Sequence, residues 1–448
     1  MTFSLNKTII SFVLFIALLG GIRLYLGLPN VIVILTEILI YTLFVISLFS
    51  RKIKGLYFPH LIFSLFIMIM IGLCSISLNE TSYHRMIFSI RLLYRFYFFY
   101  IAITLLDLSD DSLKFLNKIL FIYLILQFPV VAIKFIKYGI AERTMGAYST
   151  PDGSLSTTIP ITVIFFMASF YRFHKKSIIY LLVGLAYIII SIVGAKRAVL
   201  YLFPIQFVFI YYYFYFKGFE IDWTKKISIF MFFLIFILIL SSSVVYLNRS
   251  LNPEEEVGGS INYKYALNYT KDYMDGVDGY GYSYGRTTTT IRVFEILSKK
   301  GIINIFLGLG PGSRTKSFFD TKKDIKKQIE LKDEIMISYG MTAFTRIAFE
   351  YGVLGVIAYL YIILNLTMMA IKYSKQEDDP YWKAFAYGSV GFSFSMLFFF
   401  FAYNTSSVWG DTYPALYFYV MAVIYTRKNR HSKYYGGLET FPRINPIS

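Results

Sequence analysis

"YFPHLIFSLFIMIMIGLCSISL", residues 57–78, contains no Asp, Glu, Lys or Arg. A hydrocarbon core about 30 Å thick is crossed by about 20 helical residues, each rising about 1.5 Å. A run this long and this apolar has lipid as its solvent, so it reads as a membrane-spanning helix. The same signal recurs along almost the whole chain. About twelve spans are expected, at roughly 8–27, 30–50, 57–78, 88–106, 117–137, 157–171, 178–195, 198–216, 227–247, 346–371, 384–403 and 408–426. The first is read as an uncleaved span, because its apolar core is long and no A-x-A-like cleavage site follows it.

Composition agrees. Of 448 residues, 56% are hydrophobic and 20% aromatic, with a mean hydropathy of +0.57, well above a soluble domain. The fold class is therefore all-α, a polytopic integral membrane protein. A single cysteine, Cys74, excludes an internal disulfide and any multi-cysteine metal site. The four histidines, His60, His84, His174 and His431, form no HxxxH or HExxH pair, so no metal site is assigned. No cofactor is assigned either.

A net charge of +17 would suggest nucleic acid as partner for a soluble protein. Here its distribution speaks of orientation, and no nucleic-acid partner is read. "RKIK" (51–54), "YRFHKK" (171–176), "KGFEIDWTKK" (217–226), "KYSKQEDDPYWK" (372–383) and "RKNRHSK" (427–433) carry most of the short-loop Lys and Arg. With twelve spans and a cytoplasmic N-terminus all five fall on the cytoplasmic side, as the positive-inside rule requires. The expected organisation is nine spans in 1–247, a large external loop with short helices at 248–345, three spans in 346–426 and a cytoplasmic tail at 427–448.

The external loop nearly balances its charge, with 14 Lys and Arg against 12 Asp and Glu. Its Tyr- and Gly-rich part, 258–286, suits stacking on sugar rings or serves as a mobile lid. "RTTTTIRVFEILSKK" (286–300) predicts a helix on the membrane surface through Ile291, Phe294, Ile296 and Leu297. "TKKDIKKQIELKDEI" (321–335) predicts a solvated amphipathic helix. Between them, "GLGPGSRT" (308–315) has the glycines of a phosphate loop but not the GxxxxGK[ST] spacing of a nucleotide site. Lying outside, it faces a lipid-borne phosphate.

"ERTMGAYSTPDGS" (142–154), "GAKRAVL" (194–200), "GLGPGS" (308–313) and "MTAFTRIAFEYGVLGVIAYL" (341–360) occur in that order on one topology. Together they resemble the O-antigen polymerase and O-antigen ligase superfamily (Wzy-type), bacterial inner-membrane glycosyltransferases with a C-type glycosyltransferase-like fold. The resemblance implies undecaprenyl-diphosphate-linked oligosaccharides as donor and acceptor, membrane lipids as surroundings and a chain-length regulator as partner. It also implies polymerisation into O-antigen- or capsule-type polysaccharide at the external face. The ligase branch carries a histidine where this chain has Ala343-Phe344-Thr345-Arg346, which favours polymerase over ligase. A flippase is the rival of another class, but the chain lacks the repeated halves of such transporters.

The implied chemistry must stabilise a departing diphosphate, for which arginine's planar, permanently charged fork is suited. The catalytic candidates are Arg143, in an external turn poor in positive charge, then Arg286, Arg292 and Arg314, with Glu350 as a possible base. Substrate-binding candidates are Arg91, Arg95, Arg197, Gly308, Gly310, Gly312, Ser313 and Arg346. Arg91 and Arg95 lie four apart on one face of a span, where an arginine costs about 2.5–3.5 kcal/mol on insertion scales. They are expected to face an interior cavity, toward a diphosphate or a buried carboxylate. Glu350 follows Arg346 by four residues, so the two share a helix face and can pair.

Overall fold

The structure, a computed structural model, describes residues 10–16, 32–49, 59–79, 83–141, 144–146, 155–216, 223–276, 285–313, 341–403, 406–410 and 412–436. These residues are all-helical, with no strand among them. The helices are α1 (Ile32–Leu48), α2 (Pro59–Asn79), α3 (Tyr83–Leu106), α4 (Asp110–Ile125), α5 (Gln127–Tyr138), α6 (Leu155–Phe173), α7 (Ile178–Val193) and α8 (Val199–Ile210). They continue with α9 (Trp223–Leu247), α10 (Tyr263–Asp275), α11 (Arg286–Lys299), α12 (Ile302–Leu307), α13 (Ala343–Gln376), α14 (Pro380–Ala402), the turn α15 (Ser406–Trp409) and α16 (Thr412–Gly436).

Among the described residues six segments are long and apolar enough to cross a membrane: Leu61–Asn79, Tyr83–Leu106, Asp110–Tyr138, Trp223–Leu247, Ala343–Gln376 and Pro380–Ala402. Ile34–Leu48, Thr157–Phe173, Ile178–Val193 and Val199–Phe214 are shorter apolar helices. Against about twelve expected spans, the described residues thus supply six of crossing length and four shorter ones. Pro160 and Pro204 each remove an amide from a helix interior, yet α6 runs through the first, and α8 through the second into a π-helical turn at Tyr211–Phe216. The first expected span is described only at residues 10–16. The last, expected at 408–426, continues as α16 into the charged residues beyond Arg427. The coarse expectation of a helical, membrane-embedded protein holds.

At the centre stands α14, whose membrane segment is 72% buried, against 11% for Asp110–Tyr138 and 17% for α9. Hydrocarbon solvates the last two, which expose Ile133, Ile136, Phe232 and Ile235. Buried small residues on α14, among them Ala384, Gly388, Gly391 and Ser395, let α6 approach closely enough for Phe165 and Phe166 to sit against the two glycines. Polar bonds then stitch helices together. Ser169 Oγ of α6 donates to the carbonyl of Ala384 at 2.8 Å, and Gln206 Nε2 of α8 to that of Ile161 at 2.6 Å. Helix starts are capped: Asp379 Oδ1 accepts from the amides of Tyr381 and Trp382, with Pro380 in the first turn where its missing N–H costs nothing.

At one end of the bundle, Arg427 and Arg430 of α16 meet Asp107, Asp110 and Glu377. Arg427 Nη2 lies 3.1 Å from Glu377 Oε2, Arg430 Nη1 lies 2.6 Å from Asp110 Oδ1 and Arg430 Nη2 lies 2.6 Å from Asp107 Oδ1. Arg427 also pairs with Asp110, and Tyr373 donates to Glu377.

The loop after α9 is largely helical where described. Part of the Tyr-rich stretch folds as α10, capped by Asn262 and ended by Gly276 in the left-handed region. The helix expected at 286–300 is present as α11, but it turns a different face. Thr289, Val293, Ile296 and Leu297 are buried while Ile291 is 55% exposed. Leu309, Met341 and Phe349 offer the buried face a protein surface, which prevails over the expected lipid contact. The helix expected at 321–335 lies outside the described residues.

Candidate functional site

The stretch after Met341 starts a helix capped by Thr342, whose hydroxyl accepts from the amide of Thr345 at 3.1 Å. Two turns later the helix breaks. Gly352 adopts φ 65° and ψ −169°, a conformation outside the helical region, and α13 resumes beyond it. A break leaves carbonyls of the preceding turn without their intrahelical donors. The glycine loop supplies replacements: Leu309 N donates to Phe349 O at 2.8 Å, and Gly310 N to Glu350 O at 3.0 Å.

Glycine is required here by distance. A Cβ on Gly308 would lie 2.5 Å from Gly352 N, and one on Gly352 would lie 2.2 Å from Phe306 O. The loop is anchored from the other side by α2, where Ser75 Oγ donates to Gly308 O at 2.8 Å and Asn79 Nδ2 to the same oxygen at 3.2 Å. Gly308, Gly310 and Gly312 therefore clasp the helix break, and Gly312 turns its amide to the carboxylate described next.

Glu350 is fully buried, and both its oxygens are engaged. Arg346 Nε donates to Oε1 at 3.1 Å; Ser89 Oγ and Gly312 N donate to Oε2 at 2.8 and 3.3 Å. Three donors fix the carboxylate in orientation. Arg346 is held on a second side, its Cζ lying 4.2 Å from the centroid of a Trp409 ring.

Trp409 in turn is placed by α3. Arg95, 1% exposed, donates through Nη2 to the carbonyls of Trp409 and Gly410 at 3.1 and 3.2 Å. Its Nη1 lies 3.4 Å from Glu37 Oε1, while Arg91 Nε lies 2.8 Å from Glu37 Oε2. One connected network thus runs from Glu37 through Arg91 and Arg95, the Trp409 turn and Arg346 to Glu350, Ser89 and Gly312. Arg85, one turn before Ser89, is buried too, and its carbonyl would be 2.3 Å from a Cβ on Gly312. Among the described residues, four arginines (Arg85, Arg91, Arg95, Arg346) and two glutamates (Glu37, Glu350) stand in or beside this network.

Two of the four arginines have capacity to spare. Among the described residues neither Arg91 nor Arg346 commits its terminal Nη groups to a hydrogen bond, and their side chains are 29% and 19% exposed. Buried donors nearby are likewise unspent: Ser313 Oγ and Trp409 Nε1 have no hydrogen-bond partner among the described residues. Native structures leave few such groups unpaired. Chemically, the arrangement offers planar cations and neutral N–H and O–H donors to an anion, with a carboxylate that positions one of the cations.

Of the candidates read from the sequence, the structure brings together Arg91, Arg95, Arg346, Glu350, Gly308, Gly310, Gly312 and Ser313. Arg286 is held at the end of α14, its Nη1 donating to Ala402 O at 2.5 Å and its Cζ 4.8 Å from the Tyr403 ring centroid. Arg292 is at the surface, 2.7 Å from Glu295. Arg197 belongs to a separate assembly: its Nε donates to Ser250 Oγ at 2.9 Å, and the rings of Tyr269 and Tyr273 lie 4.8 and 4.5 Å from its Cζ. Arg143 and Arg314 lie outside the described residues. Glu37, Arg85, Ser89 and Trp409 were missed. Only Glu37 carried a signal, as the one acidic residue in the expected span 30–50. Among the described residues no three His, Cys, Asp or Glu side chains group as metal ligands. A comparison with known proteins finds no matching family model and no match among curated proteins.

Proposed function

We propose that this protein is a glycosyltransferase that polymerises polyprenyl-diphosphate-linked oligosaccharides at the external face of a bacterial inner membrane. The observation that carries the reading is the spare, rigidly held cationic capacity of Arg91 and Arg346 beside the helix break. A hydroxyl of one lipid-linked unit attacks the anomeric carbon of a chain borne by a second. The bond from that carbon to the diphosphate oxygen breaks, the diphosphate leaves with the bonding electrons, and the hydroxyl proton passes to water at the external face. Arg346 and Arg91 meet the charge that develops on it, each charge-assisted bond contributing about 1.5–3 kcal/mol. Glu350 positions Arg346, since its oxygens already accept three bonds. The ordering of Lys and Arg along the chain supports cytoplasmic termini.

A second reading, a flippase for lipid-linked sugar, is favoured by the discontinuity at Gly352, because transporters build substrate sites from broken helices. One experiment separates them: a glycan ladder on gels from cells lacking the protein, complemented with wild type or Arg346→Lys. Polymerase predicts a single repeat unit on the acceptor without the protein and shortened ladders with the variant. Lipid-linked units held on the cytoplasmic face would establish the flippase, and unlinked full-length polymer a ligase.

A further inference from the structure

A cavity of about 380 Å³ lies on another flank of the bundle, bounded by α4, α6, α14 and α16. Its walls are apolar, with Leu120, Phe121 and Leu124 from α4, Val163 from α6, Phe385 from α14 and Leu416 from α16. Along α4 it extends from Lys114 to Leu124, ten residue steps or about 15 Å of helix. That is the depth of one leaflet, half of a hydrocarbon core about 30 Å thick. The helical pair α4–α5 is the least buried of the membrane segments, at 11%, so little protein separates the cavity from lipid.

The cavity has one polar end. Lys114 and Lys118, four apart on α4, share a face there and both line it. Lys114 Nζ is 3.7 Å from Asp379 Oδ2 and 5.3 Å from the Tyr381 ring centroid. Lys118 is exposed and has no carboxylate partner among the described residues. Between them Asn117 donates to Tyr381 OH at 3.2 Å and accepts from Tyr419 OH at 3.0 Å. Among the described residues Lys118 is the cation of this rim without a carboxylate partner, and the deeper walls are mostly apolar, with Thr162 and Thr412 among them. A lysine at a membrane surface attracts anionic headgroups.

We propose that this cavity is a binding site for an anionic glycerophospholipid, with one acyl chain among α4, α6, α14 and α16 and the phosphate at Lys118. The single-leaflet depth selects an acyl chain over a longer polyprenyl tail. The lone charge at the mouth selects an anionic over a zwitterionic headgroup. Bound there, the lipid adds apolar contact between α4 and the bundle to the polar bonds that already join them. The site is independent of the proposed glycosyl transfer and stands or falls separately from it.

The test is native mass spectrometry of the full-length protein from micelles doped equally with dioleoylphosphatidylglycerol and dioleoylphosphatidylcholine. Wild type retains phosphatidylglycerol about fivefold over phosphatidylcholine, as expected for one lysine near the surface. Lys118→Gln brings that ratio close to one while a lipid is still retained. Val163→Phe, or Leu124→Phe if the first fails to fold, fills the cavity and lowers retention of both lipids. Parity in wild type overturns the proposal, as does a preference that Lys118→Gln leaves untouched; either assigns the lipid to the general annulus. Retention of polyprenyl phosphate in place of glycerophospholipid overturns it as well.

Discussion

A Cβ on Gly352 would stand 2.2 Å from the carbonyl oxygen of Phe306, so the gap in α13 is filled by another stretch of backbone. Gly352→Ala would combine a disfavoured φ with a collision against backbone that cannot rotate away. Backbone strain of this kind costs about 1–3 kcal/mol by itself, and the clash adds to it. Gly139 is the control, with φ 64° and nothing within 4 Å of its missing Cβ. The thermal midpoint in detergent should fall much further for Gly352→Ala than for Gly139→Ala. Equal falls would show that the close approach does not matter.

Removing one member of a buried ion pair leaves the other uncompensated, typically at about 3–5 kcal/mol. Glu350→Gln and Arg346→Met should each destabilise strongly, and the double variant by clearly less than their sum. A double-mutant cycle by thermal or denaturant unfolding measures this; strict additivity would mean that the pair is not coupled.

Arg91 and Arg95 share a helix face and Glu37, yet they should behave differently. Arg95 is buried and its donors hold the Trp409 turn, so on the proposed function Arg95→Gln should lower stability and polymer length together. Arg91→Gln, at a half-buried position, should cut chain extension about tenfold or more while the thermal midpoint shifts little. Glycan ladders read beside unfolding curves decide it, and matching profiles for the two variants would remove the distinction.

At the opposite end, Arg427 satisfies Glu377, which is 3% exposed. Arg427→Ala should cost about 3 kcal/mol or more, with Arg427→Lys recovering part of it. Thermal unfolding of the pair in the same detergent is the measure, and indistinguishable midpoints for wild type and Arg427→Ala would contradict the network.

Burial, reinforced by the neighbouring Lys175 and Lys114 and opposed by Asp379, holds the His174 imidazole below its ordinary value. The unfolded chain therefore binds its proton first as pH falls, and stability should decline from about pH 6.5 downward. His174→Gln should flatten that part of the stability profile. An unchanged acid limb would show that other groups dominate.

Much of this was legible in the sequence and some was not, for physical reasons. Apolar runs announce spans because lipid imposes one length and one chemistry. The pairing of Arg346 with Glu350 followed from a spacing of four, and a carboxylate for Arg91 and Arg95 from the expense of a buried cation. Ser89, however, is 261 residues from Glu350, and Gly410 is 315 from Arg95. No local pattern encodes such contacts. The break at Gly352 was hidden because a glycine within a span is ordinary there, and only the approach of Phe306 makes it necessary. The stripe on α11 was misread for a related cause: periodicity finds an apolar side but not what will cover it.

The distance in sequence between Arg95 and the Trp409 turn is also a distance in time. At about 5–20 residues per second, roughly 15–60 s of synthesis separate the two. Throughout that interval α3 is made but the carbonyls that will receive its guanidinium are not. Glu37, emerging 58 residues earlier, is the counter-ion already waiting. Its place in the finished molecule is also that of a temporary escort, keeping a cation tolerable in the nascent chain until its final ligands are translated.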